Sequence, residues 1–132
     1  MPKSIDSLLA TGTRLYLDSI DPKLVEENIG WGAVGATSNP IIVSNLIATG
    51  RFDDELKQLV TQGLTDDEIA WNLTDGLVQA AQRQFDTVWQ ESQGDKGWVS
   101  FELDPLLEDI ENSLSIPARV SRYISLGLKW SK

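Results

Sequence analysis

The ten residues from position 31 to position 40 constrain the fold of this chain more than any other segment. Residues 31–36 are small or apolar, which is typical of a short strand buried on both faces of a parallel sheet. Thr37, Ser38 and Asn39 then place three hydrogen-bonding side chains at the carboxyl end of this strand, and Pro40 suits the first position of a helix. Polar residues at such a strand end usually face a ligand crevice. The segment therefore predicts a binding site between a strand and a helix, while a role for Asn39 in capping that helix alone stays open.

Strand-like and helix-like segments alternate along the chain. We predict strands over 14–18, 31–36 and 98–103, and helices over 4–9, 21–30, 41–48, 52–60, 65–89 and 115–130. Such alternation predicts right-handed βαβ units around a parallel sheet. The expected fold is a single α/β domain over residues 1–132, with an amino-terminal helix followed by three parallel βα units. Three strands are too few to close a barrel.

The clearest helix signal begins at Thr65. Threonine followed three residues later by Glu68 forms a capping box. Apolar residues then recur at helical spacing from Ile69 to Trp89, so the pattern predicts one long amphipathic helix.

The composition excludes several classes of function. Eleven basic against 20 acidic residues give a formal net charge of −9, which makes nucleic acid and anionic membrane surfaces unsuitable partners. The chain contains no cysteine and no histidine, which excludes thiolate nucleophiles, serine–histidine triads and ordinary zinc sites. The acidic run Asp53, Asp54 and Glu55 is better placed to begin a helix than to bind a metal. We therefore predict neither a metal nor a cofactor.

The amino terminus has no basic region followed by a long apolar core, so it does not resemble a secretion signal. No apolar run approaches the roughly 20 residues of a membrane span. We therefore expect a soluble, cytoplasmic protein.

Polar residues follow each of the three predicted strands. Asp18, then Thr37 with Asn39, and then Glu102 lie at or near the carboxyl ends of these strands, which meet at one edge of a parallel sheet. Two carboxylates beside a hydroxyl and an amide are suited to moving protons on a polyhydroxylated substrate. Two alternatives remain: Asp18 caps the helix near Asp21, and Glu102 is an ordinary surface carboxylate.

These strand ends resemble those of a known enzyme family. Leu17-Asp18, the run from Ala36 to Pro40, and the run from Val99 to Pro105 are similar to the first three strand ends of the transaldolases, in order and at similar spacing. Transaldolases move a dihydroxyacetone unit between sugar phosphates of the pentose phosphate pathway, through a lysine Schiff base on an eight-stranded α/β barrel. The resemblance implies a partial TIM-type barrel.

The resemblance also implies a role for each strand-end residue. Asp18 is expected to transfer a proton on the substrate hydroxyl during carbon–carbon cleavage. Glu102 is expected to act with water in forming and breaking the Schiff base. Thr37, Ser38 and Asn39 are expected to bind and orient the sugar.

The family's lysine has no counterpart in the sequence. Residues 118–130 resemble the helix that precedes the lysine strand, but no apolar strand with a lysine follows Trp130. Lys129 and Lys132 lie at the end of a predicted helix, where nothing desolvates the amine. The family's phosphate-binding arginine also lies beyond the resembling part. We therefore expect a chain truncated before the Schiff-base lysine and inactive alone.

Partners follow from the same reasoning. Three buried strands expose two edges and apolar surface, so we expect a homo-oligomer, such as a dimer that shares its sheet, and a sugar phosphate as ligand. Two alternatives stay open: a non-catalytic interaction or regulatory module that keeps the scaffold, and an oligomer that rebuilds the site with a lysine from a second copy.

Overall fold

The structure, a computed structural model, describes residues 3–102 of the 132-residue chain. Residues up to Phe101 belong to one compact unit, and Glu102 lies outside it. The predicted closing helix over 115–130 lies outside the described residues. Within them the elements, in chain order, are α1 (Lys3–Ala10), β1 (Leu15–Leu17), α2 (Pro22–Gly30), β2 (Ala33–Ala36), α3 (Pro40–Ala48), α4 (Asp53–Thr61), α5 (Asp66–Gln84), α6 (Asp86–Glu91) and β3 (Trp98–Val99).

The described strands form one parallel sheet in the order β1-β2-β3. Leu17 pairs with Ala36, and Ala36 pairs with Val99, so the carboxyl ends of all three strands are level. The prediction of an α/β fold with three parallel strands is confirmed for this part of the chain. These three strands do not close a barrel.

A glycine at the centre of the sheet permits a close approach between strands. Gly35 pairs with Tyr16 on one side and Trp98 on the other. A Cβ at Gly35 would collide with the backbone carbonyl of Trp98 and the ring of Tyr16. Tyr16 and Trp98 share the Gly35 side of the sheet and remain 43% and 54% exposed.

The core lies between the sheet and helices α2, α3 and α5. Ile20, Val25 and Phe85 are fully buried, and each contributes roughly 1.5–3 kcal/mol through burial of its side chain. The other buried core residues are Ala33, Ala36, Val43, Leu46, Leu77, Val78, Ala81 and Val99. The helix α5 therefore supplies the largest share of the core.

The predicted helix starts have the expected caps. Asp21 Oδ1 accepts a hydrogen bond from Lys23 N at 3.0 Å, which caps α2. The capping box of Thr65 and Glu68 is present at α5. The predicted starts of both helices are confirmed, because side chains there satisfy backbone N–H groups that a helix leaves unpaired.

The prediction of one long helix up to Trp89 is wrong. The helix α5 ends at Gln84, and Phe85, with φ −86° and ψ 0°, separates it from α6. The bend keeps the Phe85 ring in the core and brings Trp89 edge-on to Trp98, with 4.7 Å between ring centroids. Apolar spacing continues across the bend because α5 buries Leu77 and Ala81 and α6 packs the partly buried Val88 against the same core, so periodicity alone could not reveal the bend.

The strands are shorter than predicted. Trp31 and Gly32 form a turn rather than strand, because Gly32 has φ +94°. Arg14 and Asp18 flank β1, and β3 ends at Val99. None of the helices in the described part of the chain is long and apolar enough to cross a membrane.

Candidate functional site

A side-chain hydrogen bond joins the carboxyl ends of β1 and β2. Thr37 Oγ1 donates to Asp18 Oδ1 at 2.7 Å, and Thr37 N donates to Leu17 O at 2.8 Å. The predicted meeting of Asp18 and Thr37 at one edge of the sheet is thus observed. Because Thr37 occupies Oδ1, the second oxygen of this exposed carboxylate is left to face solvent or a ligand. The alternative of Asp18 as a helix cap does not apply, since Asp21 caps α2.

A second bridge joins the carboxyl ends of β2 and β3. Ser38 Oγ donates to Ser100 O at 2.7 Å, and Ser38 N donates to Ser100 Oγ at 3.1 Å. Ser38 is only 5% exposed, so its hydroxyl proton serves this bridge. The role of Ser38 in substrate binding stays a prediction.

Asn39, the residue after Ser38, caps helix α3. Asn39 Oδ1 accepts a hydrogen bond from Ile42 N at 2.9 Å at the start of α3. This bond fixes the side chain, and the amide nitrogen is left for other contacts. Capping is therefore observed, and a further role for Asn39 in substrate binding stays a prediction.

Glu102 follows β3 by three residues and is exposed. It lies outside the compact unit that holds Asp18 and Thr37. Its predicted role with water, and the alternative of a surface carboxylate, both stay open.

Sequence reasoning missed Ser100 as a member of this edge. Its backbone N donates to Ala36 O at 3.0 Å, which continues the β2–β3 ladder by one residue and places its hydroxyl against Ser38. The register between β2 and β3 determines this contact, and no local pattern reports that register.

A partly buried ion pair lies at the start of α2. Arg51, in the turn before α4, donates to Asp21 Oδ1 at 2.8 Å. This hydrogen bond, with the backbone donor Lys23, lowers the pKa of Asp21 despite partial burial. The pair ties the start of α2 to the turn between α3 and α4.

The described side chains include the lysines Lys23, Lys57 and Lys96. Lys23 and Lys57 are exposed on α2 and α4, and Lys96 precedes β3 at the amino end of the sheet. No described cluster of three or more acidic, histidine or cysteine side chains is suited to a metal ion. The edge therefore offers carboxylate, hydroxyl and amide groups.

Comparison with known proteins agrees with the strand-end resemblance. The sequence model of the family described as Transaldolase/Fructose-6-phosphate aldolase matches residues 15–124. Over 111 residues the chain is 32% identical to Transaldolase 1 of Streptomyces coelicolor, covering 79% of this chain and 29% of that protein. It is 30% identical over 114 residues to a transaldolase of Parafrankia sp., covering 81% and 31%, and 26% identical over 132 residues to a transaldolase of Mycobacterium leprae, covering 92% and 34%.

A family match over most of the chain and a strand-end geometry of the expected type define the class. The chain belongs to the transaldolase/fructose-6-phosphate aldolase family. It spans about a third of the length of the curated relatives it matches.

Proposed function

We propose that this chain forms the first strand–helix units of a transaldolase-type TIM barrel and keeps the proton-transfer side of its site. The Thr37–Asp18 hydrogen bond carries the proposal, because it orients a carboxylate at the carboxyl end of a parallel sheet. In this proposal Asp18 takes the proton of a ketose hydroxyl while the adjacent carbon–carbon bond breaks, and returns it on rejoining. The setting is the pentose phosphate pathway in the cytoplasm, as expected from the family.

The other strand-end residues have supporting roles in this proposal. Thr37 and Asn39 orient the sugar with the groups that their own hydrogen bonds leave available. Ser38 holds the backbone of this turn against Ser100 and contributes to the shape of the site. Glu102 acts with water when a Schiff base forms or breaks.

We further propose that the chain alone does not catalyse aldol transfer. A Schiff-base lysine needs a desolvated amine close to the reacting carbonyl. Lys23 and Lys57 are exposed on helices, and Lys96 lies at the opposite end of the sheet from Asp18. None of these described lysines therefore offers the buried amine of a Schiff-base nucleophile, so the described acid–base groups have no covalent intermediate on which to act.

Borohydride trapping with fructose 6-phosphate, followed by intact mass measurement, tests this proposal. We expect no mass increase beyond nonspecific background, while the transaldolase of Streptomyces coelicolor treated in parallel gains one adduct of the reduced dihydroxyacetone unit. An adduct on one specific lysine of this chain would overturn the proposal and would show that an assembly rebuilds the site.

We also propose that the chain forms a homodimer through its sheet. The support is the pair of exposed aromatic side chains, Tyr16 and Trp98, on one side of a sheet whose outer strands in the described part are β1 and β3. Light scattering over a hundredfold concentration range should give the dimer mass, and Trp98→Lys should shift it toward the monomer. A wild-type protein that stays monomeric throughout would contradict self-association.

A further inference from the structure

A cleft of about 410 Å³ lies between α4 and α5, and its lining includes none of the strand-end residues Asp18, Thr37, Ser38 and Asn39. Its volume falls within the roughly 300–1,000 Å³ typical of small-molecule sites. The apolar part of its lining comprises Phe52, Leu59, Leu73, Leu77 and Ala80. The cleft thus has the apolar floor that a ligand with a hydrocarbon body requires.

A glycine within α5 keeps this cleft open. Gly76 lines the cleft, and a Cβ built there would meet no atom within 4 Å. Its φ is not in the left-handed region, so neither backbone conformation nor close packing requires glycine. Glycine inside a helix costs about 1 kcal/mol relative to alanine. What glycine provides in return at this position is open space in the cleft.

One end of the cleft is held by side-chain hydrogen bonds. Pro22 forms part of the lining, and Gln84 Nε2 donates to Pro22 O at 2.9 Å. The preceding residue, Asp21, is held by Arg51 at 2.8 Å. Arg51 in turn lies over the Phe52 ring, 5.5 Å from its centroid. This end of the cleft is therefore built rather than a gap between loosely packed helices.

The charged groups of the rim indicate the chemistry of the ligand. Arg83 lines the cleft in the last turn of α5, and it forms no ion pair within residues 3–102. Glu55 also lines the cleft, so the rim offers one cation and one anion. The Arg51 cation is already paired with Asp21, which leaves Arg83 as the lining cation available to an incoming anion.

We propose that the cleft between α4 and α5 binds a small amphipathic carboxylate, with its hydrocarbon body on the apolar floor and its carboxylate at Arg83. The site is separate from the strand-end edge and does not depend on the proposed function. Polar side chains such as Gln58 and Asn72 at the rim let the ligand enter from water.

Titration of the ¹⁵N-labelled full chain with sodium octanoate, followed by amide chemical shifts, tests the proposal. We expect saturable shifts in α4 and α5, with a dissociation constant on the order of 1 mM or below. 1-Octanol, which has the same chain length but no charge, should bind more weakly. Shifts that do not saturate, or that lie mainly outside these helices, would overturn the proposal.

Two variants test separately what the apolar floor and the Arg83 charge contribute to binding. Gly76→Leu, which fills the open space with a good helix former, should abolish saturable binding. Arg83→Gln should weaken octanoate roughly 2- to 5-fold, as an exposed ion pair would, and leave octanol unchanged. Arg14→Gln is the matched control outside the cleft and should bind octanoate like the wild type.

Two outcomes of the variant series contradict the proposal. Unchanged binding by a folded Gly76→Leu variant excludes the cleft as the site. If Arg83→Gln and Arg14→Gln weaken octanoate binding equally, the loss arises from the net charge of the protein and not from a contact with Arg83. If Gly76→Leu does not fold, the wild-type shift map decides the location, and Glu55→Gln, which removes the rim anion, should tighten binding about 2-fold.

Discussion

The two ends of the three-stranded sheet are held by different chemistry. At the carboxyl ends, short hydrogen bonds from Thr37 to Asp18 and from Ser38 to Ser100 join neighbouring strands. At the amino ends, Arg14 before β1 reaches Asp95 before β3 in an ion pair of 2.6 Å whose side chains are 48% and 59% exposed.

This difference leaves a polar atom unused at the carboxyl ends and pairs both charges at the amino ends. At the carboxyl ends, the Thr37–Asp18 bond uses one oxygen of an exposed carboxylate and leaves the second oxygen available to a ligand. The amino-end pair uses both charges on each other in water, where such pairs contribute little. In parallel α/β folds, ligand sites lie at the carboxyl ends of the strands, while residues at the opposite end serve stability.

We expect the largest effect from substitution of Gly35, which lies in the central strand between the two ends. Gly35→Ala should destabilise the fold by about 3 kcal/mol, because the new methyl group collides with the Trp98 carbonyl and the Tyr16 ring. Urea unfolding measures this loss. Gly76→Ala is the matched control, since that site is open, and it should stabilise the fold by up to about 1 kcal/mol. A tolerated Gly35→Ala would contradict the close strand approach.

The buried bridge at the carboxyl ends should have the next largest effect. Ser38→Ala removes the donor to Ser100 O in a buried position and should cost about 1–2 kcal/mol. Ser100→Ala removes a different bond, the one that Ser38 N donates to Ser100 Oγ, and a double-mutant cycle read by urea unfolding measures how far the two bonds depend on each other. A loss below about 0.5 kcal/mol for Ser38→Ala would contradict a buried bridge that stabilises this edge.

The Asp21–Arg51 pair should give an intermediate effect that depends on pH. Asp21→Asn keeps a capping oxygen but loses the charge, and it should cost about 1 kcal/mol at pH 7 because Asp21 is only 14% exposed. The Arg51 hydrogen bond lowers the pKa of Asp21 below its usual 3.8. The stabilisation is therefore fully present above pH 3.8 and is lost as pH falls through the lowered pKa.

Thermal unfolding of the wild type and Asp21→Asn from pH 7 to pH 2 measures this dependence. The difference in stability should be constant down to about pH 4 and should shrink below it. A difference that persists unchanged at pH 2 would assign the effect to the cap rather than to the charge.

The amino-end ion pair should have the smallest effect. Arg14→Gln should cost about 0.5 kcal/mol or less in urea unfolding, and 0.5 M salt should remove most of that cost. A loss above about 1.5 kcal/mol, similar to that of Ser38→Ala, would remove the distinction between the two ends.

Local signals predicted much of this edge. The apolar run before Thr37 and the β-favouring residues before Asp18 located two strand ends, and parallel topology then placed their side chains together. The caps at Asp21 and Thr65 were also predictable, because a cap depends on residues within one helical turn.

Contacts that depend on strand register could not be predicted from the sequence, and neither could a cleft. The contact between Ser38 and Ser100 requires the pairing of Ala36 with Val99, which lies 63 positions further along the chain. The bend at Phe85 preserves the apolar spacing and therefore leaves no local trace. The cleft beside Gly76 is space that the sequence pattern does not report.

The central claim, that the carboxyl edge and not the amino edge faces the ligand, can be tested by titrating the ¹⁵N-labelled chain with fructose 6-phosphate. We predict weak binding, on the order of 1 mM or weaker, with amide shifts at Asp18 and residues 37–39 and none at Arg14 or Lys96. Asp18→Asn should reduce these shifts while the fold is retained. Shifts centred on Arg14, Asp95 and Lys96 would contradict the account.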